Sequence, residues 1–326
     1  YVSGIATVLP TWVNLNSKTK ATFITPGNNK NEVLRAIKSL WSDFEKFVII
    51  GHPFFVKDVL ENGIKDGLKW SSKDIRLLFC SEGFNEDWRN YVASLSGIKK
   101  PYCAMSTYGS SEMLLMGFET PLTVNTRIFL DKDRKGREGI LSEPKVIPSI
   151  FQYDPRLRFI ESVNRELIFT VNGGVPLIRF NMHDMGEVFD FENVSKKIDP
   201  VIKKIKKDKE KIWKLPFVTL YGRSDRTLKF YAANIYPEHI RIALDHKSFL
   251  KKLTGKFVMC KKINEKMEQC LEVNVEMVPN MQDNGELNSE IKKVITDKLK
   301  EVNKEYLCIF EQYKDKDLSP EIKLCE

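Results

Sequence analysis

No C-x-x-C pair occurs among the six cysteines, Cys80, Cys103, Cys260, Cys270, Cys308 and Cys325. Zinc-ribbon and thioredoxin-like readings therefore find no support. Scattered thiols in a chain of 326 residues fit a reducing compartment, which predicts buried free thiols and a cytoplasmic location. No apolar run reaches the roughly 18 residues that a membrane span requires. Tyr1-Val2-Ser3-Gly4 carries neither a basic n-region nor an initiator Met, so the chain reads as part of something longer. Aromatics are scarce where positive charge is dense. Residues 196–214 hold nine lysines against Asp199, Asp208 and Glu210, and most of the net charge of +8 sits there. Trp213 is the sole aromatic in that run, too little for a base-stacking platform, so no nucleic-acid partner is expected. The run reads as a solvated helix or insertion.

What is present is ordinary for a globular protein: 42% hydrophobic and 29% charged residues, with length enough for about two domains. Val33, Leu34, Ile37, Leu40, Trp41 and Phe44 make one helical stripe. Phe47-Val48-Ile49-Ile50 reads as a buried strand ended by Gly51. Pro53 opens a further helix. Ile75-Arg76-Leu77-Leu78-Phe79-Cys80 is a second strand, and residues 85–96 a third helix. Strands separated by helices of this length predict a parallel sheet with crossovers. From 124 to 190 the texture changes. Strands expected at 124–130, 166–171 and 175–180 suggest a small, mostly antiparallel unit. Residues 226–326 read as a compact α+β tail, with strands at 257–261 and 271–277 and a long helix over 289–307. The expected class is α/β: a larger core domain over 1–221, a smaller α+β domain over 222–326, and a hinge at 222–225.

Several short polar strings end these strands. Ser81-Glu82-Gly83 and Tyr108-Gly109-Ser110-Ser111-Glu112 each follow a strand, where open α/β sheets bind ligands. A nucleotide site needs a flat partner for the base, donors for phosphate and a carboxylate for a metal. Tyr108 offers a ring face, Ser110 and Ser111 offer hydroxyls, and Glu112 is a hard oxygen ligand suited to Mg²⁺. On its own the second string also reads as a Ser-rich capped turn. Asp184 ends the apolar string Pro176-Leu177-Ile178-Arg179-Phe180-Asn181-Met182-His183-Asp184, and a carboxylate there can accept both ribose hydroxyls. His183 beside it reads as an exposed loop histidine rather than a base, and Arg179 as a brace. In Tyr221-Gly222-Arg223-Ser224-Asp225, Arg223 carries a fork that donates to several oxygens at once. Gly51-His52-Pro53-Phe54-Phe55 caps the first strand; it reads equally as a helix start over core phenylalanines.

Taken in this order, these strings resemble the adenylate-forming enzymes, most closely the phenylacetate–CoA ligase branch. The resemblance covers nearly the whole chain. It implies activation of a small carboxylic acid by ATP, through an acyl adenylate, and transfer of the acyl group to a thiol, CoA being the expected acceptor. By the same resemblance Ser81, Glu82 and Gly83 lie against adenine. Tyr108, Gly109, Ser110 and Ser111 line the nucleotide, Glu112 holds Mg²⁺, Asp184 takes the ribose and Arg223 reaches ribose and phosphate. Asp225 becomes the hinge for domain rotation, and His52 and Phe54 line the acyl pocket. The branch is often dimeric, so the resemblance allows a homodimer.

Asn234-Ile235-Tyr236-Pro237-Glu238-His239-Ile240 also resembles that branch, with two departures. Ala232 stands where the family has Gly, and Arg241 where it has Glu. The Ala bears on thiol delivery rather than on nucleotide binding. Two family features are missing: the Ser/Thr/Gly-rich phosphate loop, absent between Tyr1 and Asn31, and the C-terminal Gly-Lys, Lys323 having no Gly before it. Truncation or disorder is the simpler explanation of both. A non-catalytic nucleotide- or partner-binding homologue, or transfer to an amine or hydroxyl, are the alternatives.

Overall fold

The computed structural model describes residues 21–325 apart from 28, 174, 232, 265–267, 282–284 and 314–316. The expectations resting on Ala232 and on residues 1–20 lie outside the described residues. Helix α1 (Lys30–Ser39) starts at Asn29, whose side chain accepts from the Asn31 and Glu32 amides. Strand β1 (Lys46–Gly51), α2 (Pro53–Lys65), β2 (Asp74–Phe79), α3 (Glu86–Ser96) and β3 (Ala104–Ser110) follow. Asn85 caps α3 by accepting the Trp88 amide at 2.9 Å, and Gly97 ends it in the left-handed region. β1, β2 and β3 pair in parallel, as the helix-separated strands predict.

Next come β4 (Leu114–Phe118), α4 (Pro121–Lys132), α5 (Arg134–Ile140) and β5 (Ser149–Gln152). Strands β6 (Arg158–Val163), β7 (Glu166–Val171) and β8 (Leu177–Met185) form an antiparallel meander. Then follow β9 (Val188–Phe189), α6 (Phe191–Ser195), α7 (Asp199–Lys207), β10 (Phe217–Leu220) and β11 (Gly222–Arg223). The main sheet has seven strands in the order β1-β2-β3-β4-β5-β10-β9, and a second sheet runs β11-β8-β7-β6. Beyond β3 the main sheet is antiparallel, because β4 turns straight back on β3 instead of crossing over.

The last segment comprises β12 (Leu228–Phe230), β13 (Ala233–Ile235), α8 (Pro237–Leu244), β14 (Leu253–Ile263), β15 (Gln269–Met277), α9 (Glu286–Val302), α10 (Lys304–Gln312) and β16 (Glu321–Cys325). It encloses its own apolar cluster, with Phe230, Ile240, Leu271, Val273, Ile291, Leu299 and Tyr306 at its centre. The class is mixed α/β with a parallel-containing main sheet and smaller antiparallel sheets.

Five expectations need correcting. Phe47–Ile50 is not a buried strand: β1 lies at the sheet edge and buries only Ile49, with Val48 and Ile50 exposed. Residues 124–130 are helix, not strand. Pro121 opens α4, and Thr120 and Thr123 exchange side-chain-to-backbone bonds in a capping box, so local capping outweighs the β-branched composition. The helix expected over 289–307 is two helices. The chain breaks at Asn303, whose side chain accepts the Tyr306 amide at 2.9 Å and starts α10. The strand before Asp184 extends through it, so Asp184 lies within β8. The thiols are free, but only Cys103 is buried, and Cys308 and Cys325 are exposed. The lysine run does form a helix, α7, that buries Val201 and Ile205 and leaves its lysines outward. No described helix is long and apolar enough to cross a membrane.

Candidate active site

The parallel strands β1, β2 and β3 end side by side, and their carboxyl ends carry His52, the loop 81–83 and the string 108–112. The turn after β3 depends on Gly109: a Cβ there would sit 2.4 Å from the Leu114 carbonyl oxygen, so no larger residue fits this bulge. Ser110 Oγ accepts the Met113 amide at 3.2 Å, which ties the turn to itself. Ser111 and Glu112 are exposed at its tip.

Tyr108 is only 5% exposed, its ring stacked 5.5 Å from Phe151 and edge-on to Phe169. Its hydroxyl donates to Asp184 Oδ2 at 2.5 Å. Burial first, and then the negative Asp184, push the Tyr108 pKa well above its ordinary value, so the phenol keeps its proton and remains a donor. Asp184 itself is 4% exposed. It reaches the interior because β8 is irregular: Arg179 and His183 take left-handed backbone, with φ of 51° and 62°, and the pairing with β7 shifts register twice. Such bulges re-aim side chains, here turning Asp184 in and His183 out.

β11 pairs antiparallel with β8, placing Arg223 opposite Asp184 and Gly222 opposite Met185. Arg223 holds Asp225 in a two-point pair, Nε to Oδ1 at 2.8 Å and Nη2 to Oδ2 at 2.6 Å. That pairing, helped by Asp184, raises the guanidinium pKa. Gly222 has φ 139° and faces Glu238 so closely that an added Cβ would lie 2.3 Å from its carboxyl carbon. Tyr108, Asp184, Arg223 and Asp225, up to 117 residues apart in sequence, thus form one cluster.

Sequence reasoning passed over Glu166. Its carboxylate accepts from Ser224 Oγ at 2.6 Å and Asn181 Nδ2 at 2.7 Å, with His183 Nδ1 at 3.4 Å. The Ser224 and Asn181 bonds hold its pKa below the usual carboxylate range. Glu166 therefore ties β7, β8 and the 222–225 segment together. A mid-chain Glu with no motif around it offered no signal. Arg179 pairs with Glu161 at 2.6 Å on an exposed face, a brace as expected.

The second cluster lies beside the loop after β2. Ser81 is exposed with φ 75°, Gly83 is exposed, and Glu82 is half-buried, 3.8 Å from Arg241 of α8. His52 precedes α2 with its ring 5.5 Å from Phe54. Its rim is exposed, yet partial desolvation holds its pKa below the ordinary value, ahead of the opposing pull of Glu82. Phe54 is 2% exposed, packed on Trp88 and covered by the Arg241 guanidinium 4.4 Å from its ring centre. It belongs to a closed core contact in this arrangement rather than to an open pocket.

Glu112, Ser110 and Ser111 share one turn, where Glu112 is an exposed carboxylate, a hard oxygen donor, and Ser110 Oγ is engaged by the Met113 amide. No group of three or more His, Cys, Asp or Glu able to hold a metal occurs among the described residues.

The fold matches solved structures. A 2-hydroxyisobutyryl-CoA ligase in the postadenylation state, in complex with R3-HIB-AMP, aligns with TM-score 0.59 at 14% identity, over 93% of this chain and 55% of that one. The same ligase in complex with 2-HIB-AMP aligns with TM-score 0.57 at 13% identity, over 90% and 54%. The anthranilate CoA ligase AuaEII, in complex with anthranoyl-AMP, aligns with TM-score 0.51 at 13% identity, over 93% and 50%. This chain spans about half the length of the solved structures it matches. Its fold is that of the adenylate-forming enzymes. No family profile matches the chain, and no curated protein matches it.

Proposed function

We propose that this chain forms the nucleotide-binding part of an ATP-dependent ligase that adenylates a carboxylic acid and passes the acyl group to a thiol, CoA in the first instance. The observation that carries the reading is the cluster of Tyr108, Asp184, Arg223 and Asp225 beside the carboxyl ends of parallel strands. Three strings that resemble the same family converge there, in a fold shared with CoA ligases that hold acyl adenylates.

In this reading a carboxylate oxygen attacks the α-phosphorus of ATP, an O–P bond forms, and pyrophosphate leaves. The thiol then attacks the acyl carbon and AMP leaves. Glu112 is the protein ligand for Mg²⁺, with Ser110 and Ser111 beside it; when bound, the ion neutralises phosphate charge. Asp184 turns from Tyr108 to the ribose hydroxyls, for which its two oxygens suffice. Arg223 exchanges an Asp225 oxygen for ribose and phosphate oxygens, and releasing Asp225 leaves that residue to take up the hinge change. Ser81, Glu82 and Gly83 flank the base, and His52 orients the acid. The phenylacetate–CoA ligase branch remains the nearest resemblance, on the strength of the strings around Asp184 and Asn234.

Carboxylate-dependent ATP–pyrophosphate exchange, run on the full-length gene product with aryl, aliphatic and amino acids, tests this. Exchange with any one acid supports the reading and names the substrate class. Absence of both exchange and ATP binding overturns it. Glu112→Ala is expected to abolish exchange while leaving the fold intact, since Glu112 is exposed and supports no core; exchange at the wild-type rate would remove Glu112 from the mechanism.

A further inference from the structure

Arg241 stands where the resembled ligase branch carries an acid, and the structure gives this substitution a definite place. Its side chain, 15% exposed, projects from α8 across to the core. The guanidinium lies between two rings, 4.4 Å from the centre of Phe54 in α2 and 4.7 Å from that of Phe257 in β14. One nitrogen donates to the Gly255 carbonyl, and another lies 3.8 Å from Glu82. A planar cation suits this slot, since it stacks on both faces while its edge donates.

The surroundings are built for close approach. Gly255, at φ 91°, passes so near Phe54 that a Cβ would fall 2.4 Å from its ring. Leu250 leaves the C-terminal segment to join the apolar cluster of Phe54, Val59 and Trp88. Lys57, 1% exposed, donates to the Leu253 carbonyl at 3.2 Å. The Asn85 amide donates to Asp245, at the end of α8, at 3.4 Å.

We infer that Arg241 is a positioning residue: it clamps the C-terminal segment onto α2 and the loop after β2, and so holds Glu82 and His52 in place. The clamp itself stands apart from any reaction; only its consequence for the nucleotide rests on the function proposed above. An acid at 241 would face Glu82 with like charge and lose both ring contacts.

Hydrogen exchange and small-angle X-ray scattering on the full chain without ligand test the clamp. In Arg241→Met, amides of Pro53–Lys65 and of Leu253–Phe257 are expected to exchange at least ten-fold faster, with a larger radius of gyration. Exchange in Glu286–Val302, which pairs with neither interface segment, should stay as in the wild type, which a general loss of structure would not permit. Arg241→Lys keeps the charge but not the planar stack and should fall between the two. Unchanged exchange at both interface segments in Arg241→Met overturns the inference. If Arg241→Met does not fold, Arg241→Lys combined with Phe257→Leu reads the same amides, and wild-type exchange there overturns it equally. These readouts need no turnover, so they stand whether or not pyrophosphate exchange is found. Where exchange activity is found, Arg241→Met should raise the KM for ATP more than it lowers kcat.

Discussion

Tyr108 and Asp184 are a buried phenol and a buried carboxylate joined by one short hydrogen bond. A hydrogen bond to a charged acceptor is worth roughly 1.5–3 kcal/mol, more than a neutral pair. Tyr108→Phe leaves the ring packing on Phe151 in place and removes only the hydroxyl. It should therefore destabilise the fold by about 1–3 kcal/mol in urea unfolding at neutral pH. The same variant keeps the Asp184 carboxylate itself, so where the wild type binds ATP the variant should bind it no worse. His239 shows burial acting on a base. Its pKa is pushed down to about 4 from an ordinary 6.5, because burial, with Tyr236 and Asn303 against the ring, strips it of water. The folded state thus disfavours the charged imidazole. The stability contributed by the neutral ring is complete above pH 6.5 and is lost as pH falls towards 4. Denaturant titrations at pH 7 and pH 5 should show a loss in the wild type that His239→Asn reduces.

Elements in this protein are set by their ends. Asn303 is the clearest instance: one side chain stops α9, accepts the Tyr306 amide to begin α10, and donates to the Asn234 carbonyl at 2.8 Å. Asn303→Ala removes the cap and should cost about 1 kcal/mol or somewhat more, read from the midpoint of thermal or denaturant unfolding. An unchanged midpoint would mean that packing of Tyr306 and Ile309 alone holds α10. β8 makes the complementary point, since its placement of Asp184 against Tyr108 goes with an irregular strand. A regular strand alternates faces, so His183 and Asp184 would be on opposite sides whatever the bulges did; the left-handed residues decide which of them meets Tyr108.

For the whole molecule the contact between the C-terminal segment and the core is the decisive feature. Asp245 is fully buried there, and burial raises its pKa to about 6 from 3.8, against the pull of Arg241. The closed contact therefore prefers a protonated Asp245. Its benefit is complete below pH 3.8 and is lost as pH rises through about 6. Exchange of the interface amides should accordingly be slower at pH 5 than at pH 7.5, after correction for intrinsic rates. In Asp245→Asn, which carries no charge at either pH, that difference should vanish. A wild-type interface insensitive to pH over this range would count against a closed, dry contact.

Local pattern was enough for the parallel strands and the helices between them. Gly51, Pro53, Asn85 and Gly97 mark ends by backbone chemistry that acts within a few residues, so the parallel strands and their crossovers were legible. Residues 124–130 were not: their β-branched residues signal a strand, while the capping box and the burial of Leu122 and Leu130 in one apolar cluster and Val124 in another decide for helix. The strings at 108, 184 and 223 could be recognised one by one. That Tyr108 bonds Asp184, and that Arg223 pairs across from it, depends on register between β8 and β11, which no local pattern encodes.

The sequence by itself determined the strand ends, the glycines that its tight approaches require, and the residue types that suit nucleotide chemistry. Those follow from sterics and donor inventories that reach only a few residues along the chain. Only the tertiary structure decided that Glu166 binds three segments, that Phe54 is covered, and that Arg241 spans from α8 to the core. Each of these rests on groups brought together from distant parts of the chain, and such contacts exist only once hydrophobic burial has folded the elements against one another.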